Sequence, residues 1–197
     1  MSLLSASELA WYATGRFYRA ADGSLADYGY FLHLPFPDCR MFSGAPGETT
    51  AHFTFAAQPF KGRTASNGSL SLALDAVGEF SLYLQRIPGG NFDSPASFAQ
   101  GERIAVFRRS TMVVDTTLSA SASPTAAPTP VLIANLFTAW LIDSSPFELQ
   151  GTRYDLGAAV GRGVTQFGFA ATTPVVPAPS GYTAVVPFTG SAMALGR

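Results

Sequence analysis

Hydrophobic and polar residues alternate along several short stretches of this chain. The stretches 52–57, 70–74 and 80–85 each place their larger apolar residues at every second position. Successive side chains of a β-strand point to opposite faces, so each stretch offers one apolar face for burial. The pattern predicts an all-β protein, an antiparallel β-barrel or alternatively a β-sandwich, of roughly eight to eleven strands.

Turn residues separate the predicted strands. Asp22 and Gly23 form a turn signal between a strand that begins near Ala13 and a second strand over Tyr28–Leu34. Leu70–Leu84 contains two alternating runs on either side of a short break, which predicts a β-hairpin folded about residues 76–78.

Three stretches are less regular. Glu102–Leu118 is either one long strand or two strands joined by a bend near Ser110. Val131–Ile142 is apolar on both faces of a strand, which fits a fully covered strand or a helix equally well. Near the amino terminus, Ser5 and Glu8 have the spacing of a capping box, which predicts a short helix there.

The length of the chain, 197 residues, suits one core, so we expect residues 1–197 to form a single β domain. Residues 119–130 are rich in Pro, Ala, Ser and Thr and offer little to bury. The residue pattern on both sides of this segment is strand-like, which favours a flexible loop within one domain over a linker between two domains.

Charge is scarce in this sequence. Charged residues make up 13% of the chain, against roughly 25% in typical domains, and the formal net charge is −1. Such a balance disfavours nucleic-acid binding, which normally shows a basic patch. A surface with so few charges favours burial against other subunits, so we expect a homo-oligomer.

The sequence leaves the compartment of the protein open. No apolar run reaches the roughly 20 residues of a membrane-spanning helix. The amino-terminal residues do not resemble a signal peptide, so a cytoplasmic protein and an extracytoplasmic protein whose leader has been removed both fit. A lone cysteine, Cys39, excludes a disulfide within the chain without deciding between them.

Candidate chemistry is sparse and dispersed. Neither histidine has the short spacing to a further ligand that marks a metal site, and no nucleophile has an identifiable base, so we assign no metal, cofactor or catalytic residue. A ligand site would draw on the histidines, one polar ribbon and aromatic wall residues. The candidate ligand-binding residues are His33, His52, Tyr30, Trp140, Arg153 and Tyr154.

Three functions follow from these observations. The leading hypothesis is a non-catalytic protein that holds a small, largely apolar ligand in the barrel or at its mouth. An alternative is a structural or assembly protein that forms a homo-oligomer through its low-charge surface. A further alternative is a barrel cyclase or isomerase that shapes an apolar substrate. Whether the chain is an enzyme stays open, with a non-catalytic role preferred.

Overall fold

The computed structural model describes residues 3–57, 63–67, 70–74, 78–118 and 130–196. These residues contain a 3-10 helix at Pro95–Ala99 and a short helix α1 at Leu156–Val160, and the rest of the regular structure is β. The strands are β1 Leu9–Ala20, β2 Leu25–His33, β3 Phe53–Ala57, β4 Arg63–Asn67, β5 Leu70–Leu74, β6 Glu79–Leu84, β7 Glu102–Leu118, β8 Pro130–Ser144, β9 Phe147–Leu149, β10 Thr152–Tyr154, β11 Gly163–Ala170 and β12 Tyr182–Ala194.

Eight of these strands close into an antiparallel barrel, which confirms the all-β prediction and favours the barrel over the sandwich. Around the barrel the order is β7, β6, β3, β2, β1, β12, β11 and β8. Pairing between β7 and β8 along most of their length completes the ring. The hairpin of β4 and β5 extends the sheet beyond the barrel, and β9 pairs with β10 in a separate ribbon.

The hairpin of β1 and β2 forms where the sequence predicts it. At its turn Gly23 has a φ of 80°, a left-handed conformation that glycine adopts without steric cost. The backbone N–H of Ser24 donates to Asp22 Oδ1 at 2.9 Å, which ties the turn together.

The predicted hairpin over Leu70–Leu84 is wrong. Its two halves, β5 and β6, do not pair with each other but lie end to end along β7. Leu74 is opposite Val113, whereas Glu79 is opposite Arg108. The long strand β7 therefore gives both halves a partner, and this non-local pairing overrides the local turn signal.

The short amino-terminal helix is not confirmed. Ser5 and Glu8, whose spacing suggested a capping box, instead close a turn in which the N–H of Glu8 donates to the carbonyl of Ser5 at 3.2 Å. Strand β1 begins directly afterwards, at Leu9. The strand places Trp11 inside the barrel, where its ring is almost fully buried.

The two ambiguous stretches are both strands. Glu102–Leu118 is one strand, β7, with an extra residue at Ser110 that shifts its register against β8 between Arg109 and Thr111. Val131–Ile142 lies within β8 rather than in a helix. Of the predicted loop 119–130, residues 119–129 lie outside the described residues.

Aromatic rings fill the interior of the barrel. Trp11 makes edge-to-face contacts with Phe31 and Phe107, with ring centroids 5.6 and 5.4 Å apart. Phe80 stacks on Phe107 at 5.2 Å and meets Phe137 at 5.7 Å. The rings leave a cavity of only about 20 Å³, because an eight-stranded barrel is just wide enough for side chains.

A second apolar cluster covers one outer side of the barrel. Tyr18, on the outside of β1, packs with Phe98 of the 3-10 helix and with Val185 of β12. The hydroxyl of Tyr18 donates to the carbonyl of Phe92 at 2.8 Å, and the hydroxyl of Thr54 donates to that of Phe98 at 2.6 Å. The segment around the 3-10 helix is thus fixed to the barrel wall by both apolar and polar contacts.

Two facing glycines make room for the rings. Gly15 of β1 pairs with Gly29 of β2 beneath Phe55. A Cβ atom on Gly29 would lie 2.2 Å from the carbonyl oxygen of Thr14 and 2.7 Å from the end of the Phe55 ring. The carbonyl oxygen of Thr14 belongs to the backbone, so strands β1 and β2 would have to move apart to accept this Cβ atom.

We expect Gly29→Ala to lower the free energy of unfolding by about 1–3 kcal/mol, the usual cost of overpacking a core. Chemical denaturation followed by circular dichroism measures this difference. Gly89→Ala is the matched control, since a Cβ there meets nothing within 4 Å. Equal stability of the two variants would contradict the close packing of β1 against β2.

Candidate functional site

The most polar feature of the lumen is a buried ion pair between β2 and β7. Arg109 Nη2 donates to Asp27 Oδ2 at 2.6 Å, and the two side chains are only 2% and 5% exposed. The guanidinium also lies 5.3 Å from the ring centroids of Phe80 and Phe137, within cation–π range. Both charges are therefore held by direct partners and by the aromatic wall.

A second buried hydrogen bond lies beside this pair. Trp11 Nε1 donates to Gln166 Oε1 at 2.8 Å and joins β1 to β11. Gln166, Asp27 and Arg109 line the same cavity of about 20 Å³. The lumen thus contains a polar group with a carboxylate, a guanidinium and an amide, enclosed by aromatic rings.

The chemistry of this polar group is limited by space. A carboxylate and a guanidinium can orient or protonate a substrate when it lies within hydrogen-bond reach. A cavity of about 20 Å³ accepts one water-sized molecule. The cavity therefore leaves no space for an organic substrate beside the charges in this conformation.

The six residues predicted from the sequence lie elsewhere, and the structure does not bring them together. His52 is buried beneath the loop that follows β6, and its Nδ1–H donates to the carbonyl of Gln85 at 2.9 Å. His33 is exposed at the end of β2, with its ring 6.2 Å from that of Tyr12. Trp140 is 45% exposed on the outside of β8.

The remaining three predicted residues are also outside the lumen. Tyr30 is half-buried and lies 6.2 Å from Phe92, in the outer cluster, and burial raises the pKa of its phenol. Arg153 and Tyr154 are neighbours on β10, but Arg153 is exposed whereas Tyr154 is buried. Tyr154 packs against Phe36 at 5.0 Å, and burial raises the pKa of Tyr154.

Strand parity in the sequence is a signal for this ion pair. Asp27 has the same strand parity as Phe31, and Arg109 has the same parity as Phe107. A charged residue at a strand position with the same parity as buried rings either points into the core or marks a break in the core-facing pattern of the strand. Both charges do face the core, and each is the partner of the other.

Two further findings bear on the classes of function. No group of three or more His, Cys, Asp and Glu side chains that could hold a metal ion occurs among the described residues. Within the same part of the chain, no helix has the length and apolar character needed to cross a membrane.

The fold and the site define an all-β protein built on a closed eight-stranded barrel with an aromatic lumen and an internal ion pair. Comparisons with protein families, with curated proteins and with solved structures found no match to this chain. We therefore infer the function from the physical chemistry of the barrel and its surfaces.

We expect Arg109→Met to lower the free energy of unfolding by about 3–5 kcal/mol, because it leaves the carboxylate of Asp27 buried without its cation. The double variant Asp27→Leu with Arg109→Met should recover most of this loss, since it buries no charge. Urea denaturation of the purified variants measures both.

Arg108→Met is the matched control for this ion pair. Arg108 is the preceding residue on β7 and pairs with Glu79 on the outside, where the two side chains are 59% and 40% exposed. An exposed pair of this kind contributes at most about 1 kcal/mol. A loss at Arg109 no larger than the loss at Arg108 would contradict the buried placement of the pair.

Proposed function

We propose that this chain is a structural protein that assembles with copies of itself through one outer side of the barrel. The surface concerned, the uncharged face, consists of the outward side chains within residues 132–140 of β8, 165–169 of β11, 189–193 of β12 and 12–14 of β1. The observation that carries the proposal is the exposure of large apolar side chains on this face.

The apolar side chains of the uncharged face are about half exposed and are neighbours across strands. Leu136 on β8 is directly opposite Phe167 on β11, and their side chains are 50% and 48% exposed. Phe169 lies 4.8 Å from Phe167 in an edge-to-face contact. The other large members of the face are Leu132, Trp140, Met193 and Tyr12.

The face contains no charged residue. The polar groups on its outward positions are all hydroxyls, at Tyr12, Thr14, Thr138, Thr165, Thr189 and Ser191. It spans four strands, or about 19 Å, and up to about 30 Å along β8. A contiguous apolar surface of several hundred Å² is at the upper end of what monomers expose and often marks an interaction site.

A second copy of the chain is the partner that this composition favours. Trp, Tyr, Phe and Met are enriched at the centre of protein interfaces, whereas charged residues are depleted there. The uncharged face offers no charge with which to select a charged partner. The same face on another copy is equally apolar and uncharged, so two copies can meet about a two-fold axis.

The packing of the lumen supports assembly over transport of an apolar ligand. A ligand inside the barrel would have to displace rings such as Phe80 and Phe137, which contact each other and the guanidinium of Arg109. The same restriction applies to a cyclase or isomerase that works inside the barrel. The uncharged face needs no such rearrangement, because it is already exposed.

We expect the wild-type protein to sediment as a dimer or larger homo-oligomer, and Phe167→Glu to shift it to the monomer. The reason is that each interface would then have to bury a carboxylate without a partner. Sedimentation velocity over a range of concentrations measures the shift, and circular dichroism checks that the variant is folded.

Ile87→Glu is the matched control, because Ile87 is 89% exposed but lies on the loop after β6, away from the uncharged face. This variant should assemble like the wild type. A wild-type protein that stays monomeric at the highest attainable concentration would overturn the proposal. Native mass spectrometry of the same sample reports any copurified small molecule, which would favour the ligand-binding hypothesis instead.

A further inference from the structure

We propose that the lumen contains a binding site for one water molecule, which donates a hydrogen bond to Asp27 Oδ1 and completes the ion pair. The site follows from the buried carboxylate and is independent of assembly. Asp27 is only 4% exposed. Its Oδ2 accepts from Arg109, while Oδ1 is buried and has no hydrogen-bond partner among the residues that the structure describes.

A buried carboxylate oxygen needs a donor. An ionised carboxylate accepts about four hydrogen bonds, and buried polar atoms in native proteins nearly always have a partner. The aromatic rings around Asp27 have no N–H or O–H group to offer, apart from the indole of Trp11, and that group donates to Gln166. Among the residues that the structure describes, no group donates to Oδ1, and a water molecule held in the lumen would supply this donor.

The cavity beside Asp27 fits this donor in size. Its volume is about 20 Å³, whereas one water needs at least about 10–15 Å³. Ethanol-sized or larger molecules would need the rings to move. The carboxylate already has a cation in Arg109, so a second cation would leave excess positive charge in a closed aromatic lumen.

The cavity also supplies further partners for a water molecule. Buried waters make about three hydrogen bonds on average. Besides Asp27, the lining contains the guanidinium of Arg109 and the side-chain amide of Gln166. A water that donates to Oδ1 can accept from the side-chain amide of Gln166, which lines the same cavity. The site thus provides the acceptor and the donors that distinguish a hydrated cavity from a dry apolar one.

A crystal structure of the wild-type protein at high resolution tests the site directly. The expected result is one ordered water within hydrogen-bond distance of Asp27 Oδ1, with no contact to bulk solvent. Magnetic relaxation dispersion of ¹⁷O-labelled water should detect one long-lived internal water in solution. An empty lumen in both measurements, or density for a larger molecule beside Asp27, would overturn the proposal.

A pair of double variants makes the test specific. Asp27→Leu with Arg109→Met removes the polar partners and fills the space, so the long-lived water should disappear. Glu79→Leu with Arg108→Met removes the exposed pair on the other side of β7 and should leave the water in place. Persistence of the long-lived water in the lumen variant would place it elsewhere and refute the assignment. If that variant does not fold, the two measurements on the wild type still decide the question.

Discussion

The narrow lumen of an eight-stranded barrel is the constraint on which the rest of this structure depends. Pairing of β7 with β8 closes eight strands into a ring, but it encloses a space that side chains must fill almost completely. Phe80, Phe107 and Trp11 provide the volume, and the facing pair of Gly15 and Gly29 lets the backbone approach the rings. The interior is therefore the hydrophobic core of the protein, and it leaves a cavity of only about 20 Å³.

Two pairs of polar side chains lie within this core. Asp27 and Arg109 pair across the lumen, and Gln166 accepts from Trp11. Removal of one partner from a buried pair costs far more than replacement of both. The ion pair joins β2 to β7 across the lumen, and the rings of Phe80 and Phe137 enclose its guanidinium.

Local patterns predicted the class of fold but not the pairing of its strands. The period of two predicted the strands over 52–57 and 80–85, although every residue of β3 is buried, on both faces. Asp22-Gly23 marked a real turn. The failed hairpin over Leu70–Leu84 shows the limit, since the length of β7 decided the pairing of both halves. The structure does not bring the predicted ligand-binding residues together, for a related reason. Residues such as His33 and Tyr154 were chosen by chemical type, whereas burial in a barrel depends on strand parity, which selects Asp27 and Arg109.

Strand β8 has apolar side chains on both faces, and those on its outer face point away from the barrel interior. A strand that is apolar on both faces is stable when both faces are buried. The inner face of β8 is buried in the lumen, with Phe137 and Ala139. The chain covers part of its outer surface itself, where the 3-10 helix packs on Tyr18, but it leaves Leu136 and Trp140 about half exposed. Exposed apolar area of this kind costs free energy in water and recovers it on burial. In the assembly that we propose, a second copy of the uncharged face would cover these side chains, because it brings apolar rings and no charge that would have to be desolvated.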